Sequence, residues 1–360
     1  MPIIFLNSHR AKSGSIDGKS LPADYVLAAR FFDCGIIDRT HALDLGFEQQ
    51  VLDEIPEYDA NFSLSFREIA LQNAKRIWSR AESLNYDIQV LWSGGIDSTV
   101  ALIALVQTAQ PHQLDRLRIL LSMDSINEYP LFFRQHILRE LKYQLIQPPV
   151  TNHLAANALI VTGEHGDQLF GSDKLLPLIK NGLALEPWED VLPLLATHKL
   201  GDAKSGDALT EYLRPLIAAA PTTIHSAFDL YWWLNFTIKW QQVSLRLPVF
   251  SFQNKVEQLS SRFEHFFQAL DFQKWAMSRH QERVVTRLED YKLPAKQFIY
   301  DYTQDADYLN TKSKEPSLKN VILDRKKQGK KRYRIHLYDD WQPKIEVFHR
   351  QFKNVETTLS

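Results

Sequence analysis

Short apolar segments alternate with longer amphipathic segments between residues 61 and 180. In the longer segments the apolar residues recur every three or four positions, as on the buried face of a helix, and the first of them covers residues 63–85. The short apolar segments are expected to be strands, at residues 88–92, 118–123, 143–146 and 158–162. Strands that alternate with helices in this way predict an α/β fold with a doubly wound parallel sheet.

The pattern differs on either side of this unit. Residues 1–60 have β-type apolar patches at residues 3–6 and 25–37. Residues 181–360 have a helical pattern that is rich in aromatic side chains, most densely at residues 228–236. Aromatic residues this dense usually form core between helices, although a stacking platform for a base or cofactor is an alternative. The same interpretation as core applies to Phe263, Phe266, Phe267, Phe272 and Trp275.

Three regions are therefore expected along the chain. Residues 1–60 form a small N-terminal β-type segment, and residues 61–180 form the α/β domain. Residues 181–360 form a mainly helical half that ends in a basic C-terminal tail.

Composition narrows the class of protein. The chain has 360 residues, 44% of them hydrophobic, and its formal net charge of −1 gives no overall attraction to nucleic acid. Cys34 is the single cysteine, which excludes an intramolecular disulfide framework and a cysteine-rich zinc site. No uninterrupted apolar stretch reaches the roughly 20 residues of a membrane span, and the apolar run near the N-terminus is too short for a signal peptide. We expect a cytoplasmic protein that does not use a membrane.

The first candidate site is the turn after the strand at residues 88–92. It reads Ser93-Gly94-Gly95-Ile96-Asp97-Ser98. Two adjacent glycines let backbone N–H groups approach an anion, and the following helix adds its unpaired N-terminal amides. Ser93 and Ser98 add hydroxyl donors, whereas Asp97 cannot bind phosphate directly and implies a Mg²⁺ between its carboxylate and the phosphate oxygens. An ordinary strand-to-helix turn needs one glycine at most, so this turn predicts a pyrophosphate-binding loop.

A second candidate loop follows the strand at residues 158–162. It reads Thr162-Gly163-Glu164-His165-Gly166-Asp167-Gln168-Leu169-Phe170-Gly171. Taken alone, it is also compatible with a strand-to-helix loop whose acidic side chains are simply solvated. Ligands of parallel sheets bind beyond the carboxyl ends of the strands, so two such loops about 70 residues apart fit one site.

Together the two loops resemble the PP-loop ATP pyrophosphatase superfamily. Residues 93–98 match its S-G-G-x-D-S signature, and residues 162–171 are similar to the S-G-E-G-x-D-E-L-F-G stretch of the asparagine synthetase and β-lactam synthetase branch. Thr162, His165 and Gln168 depart from that stretch, which has Ser, Gly and Glu at these places. The resemblance implies an adenine nucleotide alpha hydrolase-like sheet, cleavage of ATP between the α and β phosphates, and transfer of AMP to a substrate. It also implies that the helical half, residues 181–360, binds the acceptor substrate.

The resemblance also implies roles for individual residues, with ATP and Mg²⁺ as the ligands. Asp97 and Asp167 would hold the Mg²⁺, and Glu164 would position or deprotonate the incoming amine. The adenine would lie near the end of the second strand. The nucleotide-binding residues are expected to be Leu91, Ser93, Gly94, Gly95, Asp97, Ser98, Ser122, Met123, Thr162 and Gly163.

That branch has a lysine near the end of the helical half, in a stretch like R-x-K-Q-G, which offsets charge as the adenylate is attacked. Lys314 has nearly the family spacing from the preceding aromatic cluster and is the preferred catalytic candidate. Lys327 lies in a better matching stretch about a dozen residues further along. A third alternative is that neither has this role, since most lysines are solvated surface residues.

The source of nitrogen is open. In asparagine synthetases a glutaminase unit begins with a cysteine directly after the initiator methionine, whereas this chain has Pro2 there and only about 60 residues before the α/β unit. We expect no glutaminase activity. The amine would be free ammonia, ammonia from a separate glutaminase, or a group within the same substrate.

Two further features have a functional and a plainer interpretation. His165 could be a metal ligand or a general base, but no second His or Cys lies nearby at ligand spacing, which favours a pocket-lining side chain. The basic run at residues 325–334 could contact RNA, although such runs are more often solvated.

These observations predict an ATP-dependent amide-forming ligase. A substrate carboxylate would attack the α-phosphate and pyrophosphate would leave. An amine or ammonia would then attack the acyl carbon of the acyl-adenylate, and AMP would leave. Its partners would be a small-molecule carboxylate and a nitrogen donor. One alternative is a tRNA-modifying PP-loop enzyme, which the neutral net charge and the absence of paired cysteines oppose. The other is a non-catalytic nucleotide-binding relic, which His165 and Gln168 leave open.

Overall fold

A computed structural model describes residues 2–16, 18–147, 149–171, 174–250 and 261–312, together with two strands near the C-terminus. The strands are β1 (Ile3–Leu6), β2 (Ser15–Ile16), β3 (Lys19–Ser20), β4 (Asp87–Leu91), β5 (Leu117–Leu121), β6 (Lys142–Leu145), β7 (Ala158–Thr162), β8 (Phe263–His265), β9 (Tyr333–Leu337) and β10 (Pro343–Val347).

The α-helices lie mostly between and after these strands. They are α1 (Ser8–Ser13), α2 (Ala23–Phe32), α3 (Phe66–Ser83), α4 (Ile96–Thr108), α5 (Pro111–Leu114), α6 (Met123–Glu128), α7 (Pro130–Phe132), α8 (Gly166–Phe170), α9 (Leu175–Lys180), α10 (Trp188–Leu200), α11 (Ala203–Ala218), α12 (Ala227–Ile238), α13 (Trp240–Arg246), α14 (Leu270–Ser278), α15 (His280–Arg283), α16 (Leu293–Thr303) and α17 (Ala306–Thr311). Short 3₁₀ or π turns lie at Phe133–Ile137, Val150–His153, Pro248–Phe250, Phe266–Gln268 and Leu288–Asp290.

Five strands form one parallel sheet with the order β6-β5-β4-β7-β8. The chain runs outward from β4 through β5 to β6, and then crosses to the other side of β4 to form β7 and β8. All five residues of β7 are buried, as expected for an inner strand with both faces covered by helices. The expected α/β fold with a parallel sheet is confirmed. In such sheets ligands bind where the strand order reverses, which here is between the carboxyl ends of β4 and β7.

The helix predicted at residues 63–85 is confirmed as α3, and its start has a local cause. Ser65 Oγ accepts a hydrogen bond from Glu68 N, and the Glu68 carboxylate accepts one from Ser65 N. This reciprocal capping box satisfies two backbone N–H groups at the start of the helix. The apolar face of α3 is buried and packs on α4 and α14.

The prediction of β structure at residues 25–37 is wrong, because residues 23–32 form α2. Tyr25, Ala28, Ala29 and Phe32 are buried at helical spacing. The aromatic and β-branched residues of this stretch favour strands, but one apolar face at a period of 3.6 residues is buried more completely in a helix.

The dense aromatic residues at 228–236 are confirmed as core, since every residue of α12 is buried. Phe263, Phe266, Phe267, Phe272 and Trp275 are buried as well. The helical interpretation fails at Phe263, which belongs to β8. A strand of three residues is too short to show an alternating pattern, and β8 exists because β7 offers it a free edge.

The first 60 residues pack against the helical half. In a second sheet, β1 and β10 flank β9 and both pair with it antiparallel. Gln241 of α13 donates hydrogen bonds to the carbonyl oxygens of Ile4 and Gln50, at 2.9 and 2.8 Å. Of the basic run at residues 325–334, only the backbone of Tyr333 and Arg334 belongs to the described residues. Every helix among the described residues is too short or too polar to cross a membrane.

Candidate functional site

The glycine loop, residues 93–98, joins β4 to α4 at the carboxyl edge of the sheet. Ser98 Oγ accepts a hydrogen bond from Ser93 N at 3.0 Å and lies 2.9 Å from Ser93 Oγ. Ser93 Oγ accepts another from Gly95 N at 3.2 Å. Gly94 has a φ of 79°, which favours glycine at this position. The two predicted serine hydroxyls therefore hold the loop in its turn.

The acid loop, residues 163–167, joins β7 to α8 and touches the glycine loop. A Cβ atom at Gly163 would lie 2.6 Å from Ser98 N, and one at Gly166 would lie 2.3 Å from Cγ of Asp97. Both distances are far below normal contact. The neighbour of Gly163 is backbone, which excludes a side chain there, whereas a side chain at position 166 would displace the Asp97 carboxylate. The two motifs, separate in the sequence, thus form one site.

Asp97 and Asp167 converge on the ammonium group of Lys292. Nζ of Lys292 lies 2.5 Å from Asp97 Oδ2 and 2.8 Å from Asp167 Oδ1, and the lysine side chain is 2% exposed. Burial lowers the pKa of Lys292, but the two carboxylates outweigh burial and hold the pKa above its ordinary value. The lysine is therefore charged and compensates part of the negative charge of the pair.

Two carboxylates that converge on one point are a donor set that could hold Mg²⁺ together with phosphate. Mg²⁺ is usually held by one or two carboxylates, with phosphate oxygens and water as the other ligands. Both carboxylates contact the ammonium group of Lys292, so a positive charge is stabilised at the position of its Nζ atom. In the described part of the chain no three His, Cys, Asp or Glu residues are grouped to hold a metal. Nucleotide and water would have to supply the remaining ligands.

Glu164 forms a two-point ion pair with Arg246, the last residue of α13. Arg246 Nε lies 3.1 Å from Glu164 Oε1, and Nη2 of Arg246 donates to Oε2. Burial lowers the pKa of Arg246, but the Glu164 charge and hydrogen bond outweigh burial and raise it. The Glu164 side chain is 12% exposed. The carboxylate predicted to handle the amine is therefore held in a fixed orientation by Arg246.

His165 lies in the interior rather than in an open pocket. Its side chain is buried, its Nε2 lies 3.0 Å from Ser244 Oγ, and its ring centroid lies 4.1 Å from that of Trp240. Burial lowers the pKa of His165 well below its ordinary value, so the ring is neutral. With a φ of 72°, the backbone adopts the left-handed conformation that glycine prefers, at the place where the resembling stretch has Gly.

Gln168, in α8, also departs from the resembling stretch, which has Glu at this place, and it takes part in a buried amide network. Its Nε2 donates to Asn235 Oδ1 at 3.3 Å. Asn235 Nδ2 donates in turn to the carbonyl oxygens of Asp167 and Gly171, at 2.8 and 2.9 Å. An amide at position 168 can donate to Asn235, which a carboxylate could not. Gln168 therefore supports the backbone that carries Asp167.

The remaining predicted nucleotide-binding residues lie along the same edge of the sheet. Leu91 is the half-buried last residue of β4. Ser122 is buried at the start of α6, and Met123 beside it is 51% exposed. Thr162 ends β7, and its Oγ1 lies 2.8 Å from Nδ1 of His265 and accepts from Glu164 N at 3.2 Å.

Lys314 and Lys327, the two predicted lysines, lie outside the described residues. Lys292 and Lys312, which neither sequence motif contains, lie at the two loops in the structure. Lys312 Nζ lies 3.1 Å from Glu128 Oε1, and the Glu128 carboxylate lies against the glycine loop. Lys312 is two residues before Lys314 in the sequence. Nothing in the local sequence distinguishes Lys292 from other lysines.

None of the protein-family models, curated proteins or solved structures compared with the chain matches it.

Proposed function

We propose that the protein is an ATP-dependent amide-forming ligase that releases AMP and pyrophosphate. One observation carries this proposal. The glycine loop and the acid loop, each recognised from its own motif, are in contact, and Asp97 and Asp167 share one buried cation, the Lys292 ammonium.

The proposed roles follow from the charges at the two loops. The backbone and hydroxyl groups of the glycine loop would bind the β and γ phosphates as a leaving pyrophosphate. Asp97 and Asp167 would hold Mg²⁺, which neutralises phosphate charge. Lys292 and Lys312 bring two further positive charges to the place where negative charge would develop on the leaving group.

Glu164 is the proposed group for the amine step. Its pairing with Arg246 occupies both carboxylate oxygens, which favours a role in positioning the amine over a role in removing its proton.

The test is exchange of labelled pyrophosphate into ATP, measured against a panel of carboxylic acids with and without tRNA. We expect exchange that requires one class of carboxylic acid, with AMP as the nucleotide product. Exchange that requires tRNA would favour the tRNA-modifying alternative, and no exchange under any condition would favour the non-catalytic one. Formation of ADP and inorganic phosphate would contradict the proposal.

The carboxylate pair gives a sharper prediction. Asp97→Asn and Asp167→Asn should each lower exchange by at least about 10²-fold, because each removes a charged ligand at nearly constant size. The double variant should lose little more than the worse single variant, since groups that act on one ion are not additive. Asp115→Asn, which changes an exposed surface pair, is the control. Near-normal exchange by either single variant at saturating Mg²⁺ would show that the aspartates do not share a metal.

A further inference from the structure

Glu128, the last residue of α6, lies directly on the glycine loop. A Cβ atom at Gly94 would lie 2.9 Å from Cβ of Glu128, and one at Gly95 would lie 3.2 Å from Glu128 Oε1. The carboxylate is therefore beside the backbone that is proposed to bind phosphate. A negative charge at this place opposes the binding of a second anion.

The carboxylate is paired with a lysine that is about equally buried. Lys312 Nζ lies 3.1 Å from Glu128 Oε1, and the two side chains are 11% and 13% exposed. The pair is thus shielded from water, unlike the solvated surface pairs that contribute little energy.

Stacked tyrosines hold the lysine segment against the glycine loop. The rings of Tyr129 and Tyr308 stack with centroids 4.0 Å apart, and Tyr129 Oη lies 3.1 Å from Asp305 Oδ2. Tyr129 directly follows Glu128, and Tyr308 lies in α17, which ends beside Lys312. The contact between the two tyrosine rings therefore joins the segment that carries Glu128 to the segment that carries Lys312.

Tyr308 provides an independent sign that a ligand belongs here. Its side chain is 7% exposed, and within the described part of the chain its hydroxyl has no hydrogen-bond partner. Burial raises the pKa of Tyr308 well above its ordinary value, and the charges of Glu128 and Asp97 act in the same direction. The hydroxyl is therefore a protonated donor near both carboxylates, and a buried donor without an acceptor is costly.

We propose that Glu128 is an internal competitor for phosphate: its carboxylate holds Lys312 at the glycine loop until a phosphate group displaces it and takes over the lysine. The Tyr308 hydroxyl then donates to the bound phosphate. The exchange keeps Lys312 paired in both states, so its buried charge is never left alone. It also weakens the binding of pyrophosphate and so assists its release. This inference depends on the proposed nucleotide function.

The test is titration calorimetry of magnesium pyrophosphate into the full-length protein. We expect Glu128→Gln to tighten binding by about tenfold, since it removes the competing charge at constant shape. In a Lys312→Met background the same change should tighten binding less than about threefold, because the lysine is no longer there to be released. Tyr308→Phe should weaken binding by roughly three- to tenfold. Glu211→Gln, in an exposed surface pair, should bind as the wild type does.

Several outcomes would overturn the inference. Glu128→Gln could bind magnesium pyrophosphate as the wild type does or more weakly, while its thermal unfolding stays as in the wild type. Glu128 would then be a ligand or a structural group and not a competitor. A full tenfold gain in the Lys312→Met background would show direct repulsion without exchange of the lysine. If the wild type binds neither magnesium pyrophosphate nor magnesium ATP, the proposed function itself fails. If it binds them and Glu128→Gln does not tighten binding, only the competitor role fails.

Discussion

At the scale of single residues, the buried charges among the described side chains are held by specific partners, and Asp229 illustrates how. Its carboxylate accepts hydrogen bonds from Ser226 N and Oγ at the start of α12, at 3.2 and 2.8 Å, and it pairs with His280. Burial raises the pKa of Asp229, but the hydrogen bonds from His280 and Ser226 more than offset burial, and the pKa falls to about 2.

Asp229 should therefore contribute stability that depends on pH. Its pKa in the folded state lies below the ordinary value of 3.8, so the contribution is present above pH 3.8 and is lost as pH falls toward 2. We expect Asp229→Asn to lower the free energy of unfolding by about 2 kcal/mol at pH 7. Urea unfolding between pH 7 and pH 3 would measure this, and the difference from the wild type should shrink below about pH 4. A difference that stays constant with pH would contradict the assignment.

At the scale of elements, helix α13 fixes the acid loop through two contacts that are one residue apart on the loop. Glu164 pairs with Arg246, and His165 bonds to Ser244. Arg246 lies 82 residues after Glu164 along the chain, and Ser244 lies 79 residues after His165. The orientation of the carboxylates thus depends on how α13 packs under the loop.

His165 and Gln304 allow a matched test of this dependence, because both have φ angles in the left-handed region, at 72° and 56°. Gln304 is exposed at the end of α16, so Gln304→Gly should stabilise the protein by up to about 1 kcal/mol. His165→Gly relieves similar backbone strain but removes a buried ring, and should cost about 2–3 kcal/mol and lower pyrophosphate exchange. Thermal and urea unfolding would measure both variants. Equal effects of the two changes would mean that His165 does not anchor the loop.

At the scale of the whole molecule, the described part of the N-terminal 60 residues shares one continuous apolar core with the sheet and the helical half. Arg39 connects these parts by polar contacts as well. Its guanidinium donates to the carbonyl oxygens of Asp53 and Phe236 and to Gln273 Oε1, at 2.7, 3.0 and 2.6 Å. It also lies 4.4 Å from the ring centroid of Trp240. Burial lowers the pKa of Arg39 to about 10, so it is still charged at neutral pH.

Arg39→Met should lower the free energy of unfolding by roughly 3–5 kcal/mol, because it leaves several buried acceptors without a donor. Arg30→Met, an exposed change in α2, is the control and should stay within about 0.5 kcal/mol of the wild type. Urea unfolding would measure both. A loss similar to that of Arg30→Met would show that Arg39 does not connect the N-terminal residues to the helical half.

The sequence by itself determined the parallel sheet and the position of both loops. The strands and helices of residues 61–180 have strong periodic patterns, because each buries one face or both faces against its neighbours. The glycines of the two loops could be found because backbone that must approach an anion or another loop closely excludes a Cβ atom. Asp97 and Asp167 could be identified from the same loops, since each lies in the first turn of the helix that follows its loop.

The tertiary structure alone decided which distant side chains complete the site. Lys292 comes to Asp97 over a separation of 195 residues, and Lys312 comes to Glu128 over 184. Both lysines lie at helix ends in a half whose local pattern shows only which faces are buried. Their positions depend on the packing of α16 on α4 and of α17 on α16, which no local pattern specifies. For the same reason β8, which is three residues long, is a strand only because it pairs with β7.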